Sequence, residues 1–412
     1  MRQVYLDYAA TTPLAPEVQK AMQPYYDKIF GNPMAMHEFG QEARQAVEKA
    51  REITADFFNF EPEEVIFTSG ATESNNLAQK GVVKAIRKKV TSYKLPAYRQ
   101  GRQVSSFTPH IITTAFEHHC MLDSAKALDK ELEAQVSFIK PTRDGLIRAA
   151  DVLKAIKANT VLVSVMYVQN EIGTIAPLKE ISEIIKKERA RRDKLPIYFM
   201  SDITQGVNYL PCDMKKFGVD LFSMSAHKIY GPKGVGALGV RKGVLIEKIQ
   251  LGGEQEFNLR AGTHNVPGIV GLGKAVDRVD RVDRVDRVDR VRELRDYFWQ
   301  RLQEKVKGIK LNGSWEKRVV NNLNVSFAGV EGESMLLALS LRDIACSTGS
   351  ACSSESLAPS HVLMAMGLTH PEAHGSLRFT LGEGNTKADV DYAIAEIAKC
   401  VAKLRRVSGY KG

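Results

Sequence analysis

The chain has 412 residues, with 58 Lys and Arg against 48 Asp and Glu, a formal net charge of +10. At 44% hydrophobic and 26% charged, with 31 Gly and 15 Pro, it is not a disordered, collagen-like or disulfide-scaffold sequence, and its length implies two to three domains. No apolar stretch approaches the ~20 residues that cross a bilayer, and MRQVYLDYAATTPL carries no signal core or amphipathic presequence, so a soluble, cytoplasmic protein is expected.

In chain order, strands are predicted at Val65–Thr68, His110–Thr114, Gln135–Ile139, Thr160–Tyr167, Pro196–Ser201 and Asp220–Ser225. Helical readings lie between them at Thr72–Val90, Ala149–Ile156 and Leu178–Arg192. This alternation predicts βαβ units and a mostly parallel sheet, whose chemistry belongs just beyond the strand carboxyl ends. Residues 276–292 are five copies of Val-Asp-Arg followed by Val-Arg. Their Asp and Arg residues pair at i,i+4 as Asp277–Arg281, Asp280–Arg284, Asp283–Arg287 and Asp286–Arg290, which predicts a long, largely solvated helix.

Two tracts are basic: seven Lys or Arg from Lys84 to Arg102 with Tyr93 and Tyr98 interleaved, and Lys186 to Lys194. They suit solvated helix ends and loops, or an RNA or acidic partner. Five cysteines at irregular spacing include no C-x-x-C pair, so no metal site is expected. Cys120, Cys212, Cys346 and Cys400 are read as buried apolar thiols.

The strongest chemical signal is Lys228 in Ser225-Ala226-His227-Lys228, after the apolar run DLFSMS and before a glycine-rich turn. Partial desolvation at a sheet edge makes such an amine nucleophilic. The strand PIYFMS ends in Asp202, with Gln205 three residues on. Taken singly, these are a surface lysine and a capping aspartate. In this order they fit pyridoxal phosphate, the lysine bonding its aldehyde and the acid holding the ring nitrogen protonated. Ser69-Gly70-Ala71-Thr72, between a strand and a helix, serves equally as a phosphate seat or as an ordinary capped turn. Gly234, Gly236 and Gly239 spell G-x-G-x-x-G, but the β-like run ALGVRKGVL follows, so a dinucleotide site is rejected.

The chain resembles the cysteine desulfurases of the NifS/IscS type, within the class V aminotransferase-like group of pyridoxal-phosphate enzymes. The resemblance spans nearly the whole sequence, through YLDYAATTPL, GNPMAMHEFG, FTSGATESNN, EHH, QNEIGT, DITQ, SAHKIYGPKG, RAGT, STGSACSS and SLRFTLG. It implies a type I pyridoxal-phosphate-dependent transferase fold, an α/β architecture with a mostly parallel sheet in a large domain and a smaller α/β domain. Residues 15–275 would form the large domain. Residues 1–14 and 276–412 would form the small one, carrying a reactive-cysteine loop at about 346–356.

By position, the resemblance assigns Lys228 to the cofactor aldehyde, Asp202 to the ring nitrogen and Gln205 to the ring oxygen. His118 would stack on the ring and move protons, and Asn170 would contact the cofactor or the substrate carboxylate. Ala71, Thr72, Ser225 and His227 would hold the phosphate, joined by Thr263 from the second subunit of a homodimer. Arg378 would clamp the substrate carboxylate. Cys352, in a small polar segment, would take sulfur from L-cysteine as a persulfide. Expected recipients are an iron–sulfur scaffold or a tRNA-thiolation relay. Selenocysteine lyase, class V aminotransferase and a low-activity partner- or tRNA-binding homologue are the alternatives. The sequence departs from the family pattern at Met34, where Ser is usual, and at Glu383-Gly384, where Arg-Phe is commoner.

Overall fold

The computed structural model describes residues 2–93, 107–192, 195–281, 283–348 and 358–410. Cys352 and residues 94–106, which include Lys94, Arg99 and Arg102 of the first basic tract, lie outside the described residues. Twelve strands run in chain order among them: β1 (Val4–Tyr5), β2 (Val65–Thr68), β3 (His110–Thr114), β4 (Gln135–Ile139), β5 (Thr160–Ser164), β6 (Tyr198–Asp202), β7 (Leu221–Ser225), β8 (Gly236–Val240), β9 (Ile309–Leu311), β10 (Asn322–Phe327), β11 (Ile344–Ala345) and β12 (Ser376–Thr380).

Seven of these form the main sheet, in the order β2-β8-β7-β6-β5-β3-β4. All neighbouring pairs are parallel except those made by β8, which runs antiparallel to β2 and β7. The inner strands are buried along their whole length, so they read as unbroken apolar runs, whereas β4 at the edge is largely half-exposed. Helices cover both faces and give two apolar clusters. One includes Phe58, Phe199 and Phe222; the other includes Leu77, Ile86 and Met200. β8 also explains the G-x-G-x-x-G pattern: Gly236 and Gly239 sit in a strand, where a Cβ on Gly239 would come within 2.1 Å of the Phe222 ring.

A separate core is drawn from both ends of the chain. Val4 and Leu6 pack with Phe298, Leu323, Phe379 and Ile397, around the antiparallel sheet β12-β10-β9 and the parallel pair β1–β11. The helix Lys387–Ser408 starts at a Thr386/Asp389 capping box and ends at Gly409, whose φ of 67° supplies the left-handed C-cap.

The Val-Asp-Arg repeat departs from its expected form. It is not one solvated helix: Val266–Val279 and Arg284–Lys305 are separate helices, and Val276, Val279 and Val291 are buried. Of the four expected i,i+4 pairs, the described residues show only Asp283–Arg287, 3.4 Å apart. Arg278, Arg284 and Arg287 turn to the body of the protein. Arg278 binds Glu17 and Glu383, Arg284 donates to the Val207 and Leu210 carbonyls, and Arg287 donates to Glu383. Exposed pairs within one helix contribute only tenths of a kcal/mol, so fixed acceptors on neighbouring elements outcompete them.

Candidate active site

The strands β2, β3, β5, β6 and β7 end on one edge of the sheet, and the chain leaving each end contributes to a cleft of about 610 Å³. Ser69–Thr72 follow β2, His118 follows β3, and Asn170 follows β5. Asp202 closes β6 and Ser225 closes β7, with Lys228 three residues further on. Ala9, Ala10 and Thr11 from the N-terminal segment and Arg378 from β12 complete the wall. Eleven residues singled out in the sequence therefore converge here: Ala71, Thr72, His118, Asn170, Asp202, Gln205, Ser225, His227, Lys228 and Arg378 line the cleft directly, as does Ser69 beside them. Thr263 does not line it; it is exposed in the segment before the helix Val266–Val279.

The Lys228 amine donates to the carbonyls of Ala9 and Ala10 at 2.6 and 2.5 Å, and Gln205 Nε2 donates to the same Ala9 carbonyl at 2.9 Å. Asp202 is buried and accepts from the Thr204 N–H at 3.0 Å and from Asn75 Nδ2 at 2.8 Å. At the start of the helix Ala71–Tyr93, the Ala71 N–H donates to Ser225 Oγ at 3.0 Å. Gly70 beside it has φ +152°, and a Cβ there would stand 3.1 Å from that hydroxyl. His227 Nδ1 lies 3.1 Å from Thr11 Oγ1, and burial with the nearby Lys228 and Lys233 charges lowers its pKa to about 4. His118 caps the helix His119–Lys130 through Nδ1 and is also held neutral by burial.

Arg378 donates from one Nη to the Asn170 carbonyl at 3.0 Å and from the other to Asp7 at 2.7 Å, while its buried Nε has no partner among the described residues. Cys120 corrects its expectation: it is only half-buried and lines the cleft, accepting from Asn75 Nδ2 at 3.2 Å. Burial still pushes its thiol up to about 12, so it stays protonated. Cys212, Cys346 and Cys400 are buried as expected.

Several residues that line the cleft or stand behind its wall had no distinguishing sequence signal. Asn75 lies inside FTSGATESNN, yet nothing local shows that it joins Asp202 to Ser223. Glu117 and Glu171 are carboxyls that burial raises to about 8 and about 7. His361 lines the cleft, donates from Nε2 to the Glu117 carbonyl at 3.0 Å and packs its ring 4.5 Å from that of His119.

The family model described as aminotransferase class-V matches residues 4–393. The chain belongs to that family. Among curated relatives it is 46% identical over 410 residues to the cysteine desulfurase IscS of Dictyoglomus turgidum, covering all of this chain and 97% of that one. Among solved structures, a NifS-like protein matches with TM-score 0.86 at 32% identity, covering 98% of this chain and all of that one. A structure titled SspA in complex with cysteine matches with TM-score 0.77 at 33% identity, over 93% of this chain and all of that one. The fold is that of the type I pyridoxal-phosphate enzymes.

The family depends on pyridoxal phosphate, and the cleft fits that cofactor. It offers a primary amine and a buried carboxylate on adjacent strand ends. It also offers a helix start where Gly70 leaves the backbone bare. That glycine, the Ala71 N–H and the Ser225 hydroxyl at the helix start form a cradle suited to a phosphate. No group of three or more metal-ligating side chains occurs among the described residues.

Proposed function

We propose that this protein is a cysteine desulfurase, converting L-cysteine and the Cys352 thiol into L-alanine and a Cys352 persulfide. The sulfur leaves Cβ of the substrate for Sγ of Cys352 while a proton replaces it at Cβ, so atoms and electrons balance without an added oxidant. The observation that carries the reading is the meeting of Lys228, Asp202 and Arg378 in one cleft, in a chain that aligns end to end with a relative named for this activity.

When bound, pyridoxal phosphate supplies the electron sink for charge developing at the substrate Cα. Lys228 would anchor the cofactor aldehyde, and its free amine would be the base that moves the substrate Cα proton. Asp202 holds the ring-nitrogen proton, an ion pair that burial strengthens. Gln205 would hold the ring oxygen, and His118 would cover the ring as an imidazole kept neutral by burial and able to pass a proton. Thr72, Ser225, His227 and the Ala71 amide seat the phosphate. Arg378, with Asn170, orients the substrate carboxylate, for which its planar fork is well shaped.

The division into a cofactor domain at 15–275 and a second domain from 1–14 with 276–412 belongs to the same reading, as does a homodimer in which Thr263 reaches the partner's phosphate seat. Sulfur would pass from Cys352 to an iron–sulfur scaffold or a tRNA-thiolation relay in the cytoplasm. Among the described residues no helix is long and apolar enough to cross a membrane.

The test is to supply L-cysteine and a reductant to the yellow holoenzyme and assay alanine and sulfide together. Equal yields support the desulfurase. Lys228→Ala should lose the visible band, and Cys352→Ser should bind cysteine without forming persulfide. Persulfide at the full rate in the serine variant removes Cys352 from the mechanism. Turnover of selenocysteine alone would make the enzyme a lyase for that substrate, and amino transfer to a keto acid would make it an aminotransferase.

A further inference from the structure

Three arginines of the Val-Asp-Arg repeat converge on Glu383, in the turn between β12 and the helix Lys387–Ser408. Arg278 binds both carboxylate oxygens, Arg287 donates to one of them at 3.0 Å, and Arg290 donates to the Glu383 backbone carbonyl. Arg287 also ties back to the Arg278 carbonyl at 2.9 Å. The three come from two helices on either side of the break in the repeat, and Arg278 is further anchored to Glu17 at 2.9 Å. Arg278, Arg287 and Glu383 all have side chains no more than 21% exposed, so little water competes for these contacts.

What Glu383 touches next leads to the cleft by two routes. Its backbone N–H donates to the Tyr230 hydroxyl at 2.9 Å, and the Arg278 guanidinium lies 4.8 Å over the same ring. Tyr230 stands two residues after Lys228 with φ +62°, a left-handed conformation that is unfavourable for a residue with a side chain and persists only where its surroundings enforce it. The second route runs through the glycines on either side of Glu383. A Cβ on Gly382 would come within 2.2 Å of the Tyr8 ring, and one on Gly384 within 2.7 Å of its hydroxyl. Tyr8 precedes Ala9, whose carbonyl accepts from the Lys228 amine. The turn carrying Glu383 thus braces the backbone just after Lys228 and the backbone that receives its side chain.

We infer that Glu383, gripped by the repeat arginines Arg278, Arg287 and Arg290, is a positioning residue that sets the placement of the Lys228 amine through Tyr230 and Tyr8. The inference deepens the proposed function, since it rests on Lys228 being the residue that bonds the cofactor. The repeat thereby acquires a role, because its register presents arginines to one carboxylate from both sides of the helix break.

The test compares wild-type holoenzyme with Glu383→Gln, which keeps size and removes charge, and with Tyr230→Phe, which removes only the hydroxyl. Three readouts are taken: the pH titration of the visible cofactor band, amide hydrogen exchange at residues 9–10 and 228–231, and thermal stability. Both variants should shift the midpoint of the band titration by about half a pH unit or more. Exchange at 228–231 should quicken about tenfold. In turnover, kcat should fall about tenfold with KM changed less than about twofold. Lower thermal stability with an unmoved titration midpoint and unchanged exchange would reduce Glu383 to a structural ion pair and overturn the inference. Should Glu383→Gln not fold, Arg290→Ala and Tyr230→Phe carry the same measurements. A wild type without a visible band would defeat the assignment of Lys228, whereas quickened exchange at 228–231 in the variants would still uphold the brace.

Discussion

Asn75 and Asp202 meet at 2.8 Å, the amide donating into the carboxylate, and the Asn75 carbonyl in turn accepts from Ser223 Oγ at 2.5 Å. The helix Ala71–Tyr93 therefore places the proposed phosphate seat at its start and, one turn on, a side chain that orients the buried acid.

Replacing Asn75 with Ala removes one of the two hydrogen bonds that the Asp202 carboxylate accepts among the described residues, and it strands the Ser223 hydroxyl in a buried site. A lost bond to a charged group is worth about 1.5–3 kcal/mol, so cofactor affinity should weaken about tenfold or more. Equilibrium titration of the apoenzyme with pyridoxal phosphate measures it; unchanged affinity would show that Asn75 does not act through Asp202.

Glu117 is fully enclosed, with Oε1 accepting from the Met166 N–H at 2.8 Å and from Thr114 at 3.0 Å, while Oε2 has no partner among the described residues. Burial is the main cause of its rise to about 8, and the Asp202 charge adds to it. The folded state then holds a proton that the unfolded state releases near its ordinary value of 4.5. Stability from this group is complete below that value and falls as pH rises towards about 8. Glu117→Gln keeps an acceptor at Oε1 and cannot ionise. It should flatten the loss of stability between pH 5 and 8 by about 2 kcal/mol or more in denaturant titrations. A slope identical to that of the wild type would contradict the assignment.

Arg51 and Glu256 form a doubly hydrogen-bonded pair, each contact 2.8 Å, with side chains 3% and 2% exposed. Burial opposes ionisation of Glu256, but the bonds from Arg51 and His264 outweigh it and hold the carboxyl at about 2. This contribution is present above the ordinary carboxylate value and is lost as pH falls towards about 2. Arg51→Met strands a buried carboxylate and should cost about 3–5 kcal/mol, whereas the double variant with Glu256→Gln should recover part of that loss. A double-mutant cycle at neutral pH checks both values.

Gly70→Ala places a methyl group 3.1 Å from Ser225 Oγ, at a backbone angle that only glycine adopts freely. The strand β2 and the following helix should survive, with circular dichroism unchanged. Cofactor affinity should fall about tenfold, through displacement of the Ser225 hydroxyl that holds the Ala71 N–H. Equal affinity in both proteins would move the phosphate seat elsewhere.

The buried strands and the chemistry at their ends were legible from residue order. β2, β3 and β4 fall at their expected residues: β2 and β3 are buried along their whole length, whereas β4 is a half-exposed edge strand legible from its β-rich run alone. Lys228 and Asp202 were legible for the same reason: each directly follows or closes such a run, and adjacent parallel strands bring their carboxyl ends together. The strand expected at Thr160–Tyr167 stops at Ser164, although Val165, Met166 and Tyr167 are buried too and the Val165 and Tyr167 N–H groups still donate to the Met200 and Asp202 carbonyls of β6.

Which charges meet was settled by the fold. The aspartates of the repeat are near in sequence to its arginines but exposed to water, where a charge pair gains little. Glu383 is about a hundred residues away, yet it offers fixed acceptors in a sheltered position, and Arg278, Arg287 and Arg290 go there. The high values of Glu117 and Glu171 and the low one of Glu256 have the same origin. Three glutamates of one ordinary acidity are separated only by burial and by the donors that the fold places beside them.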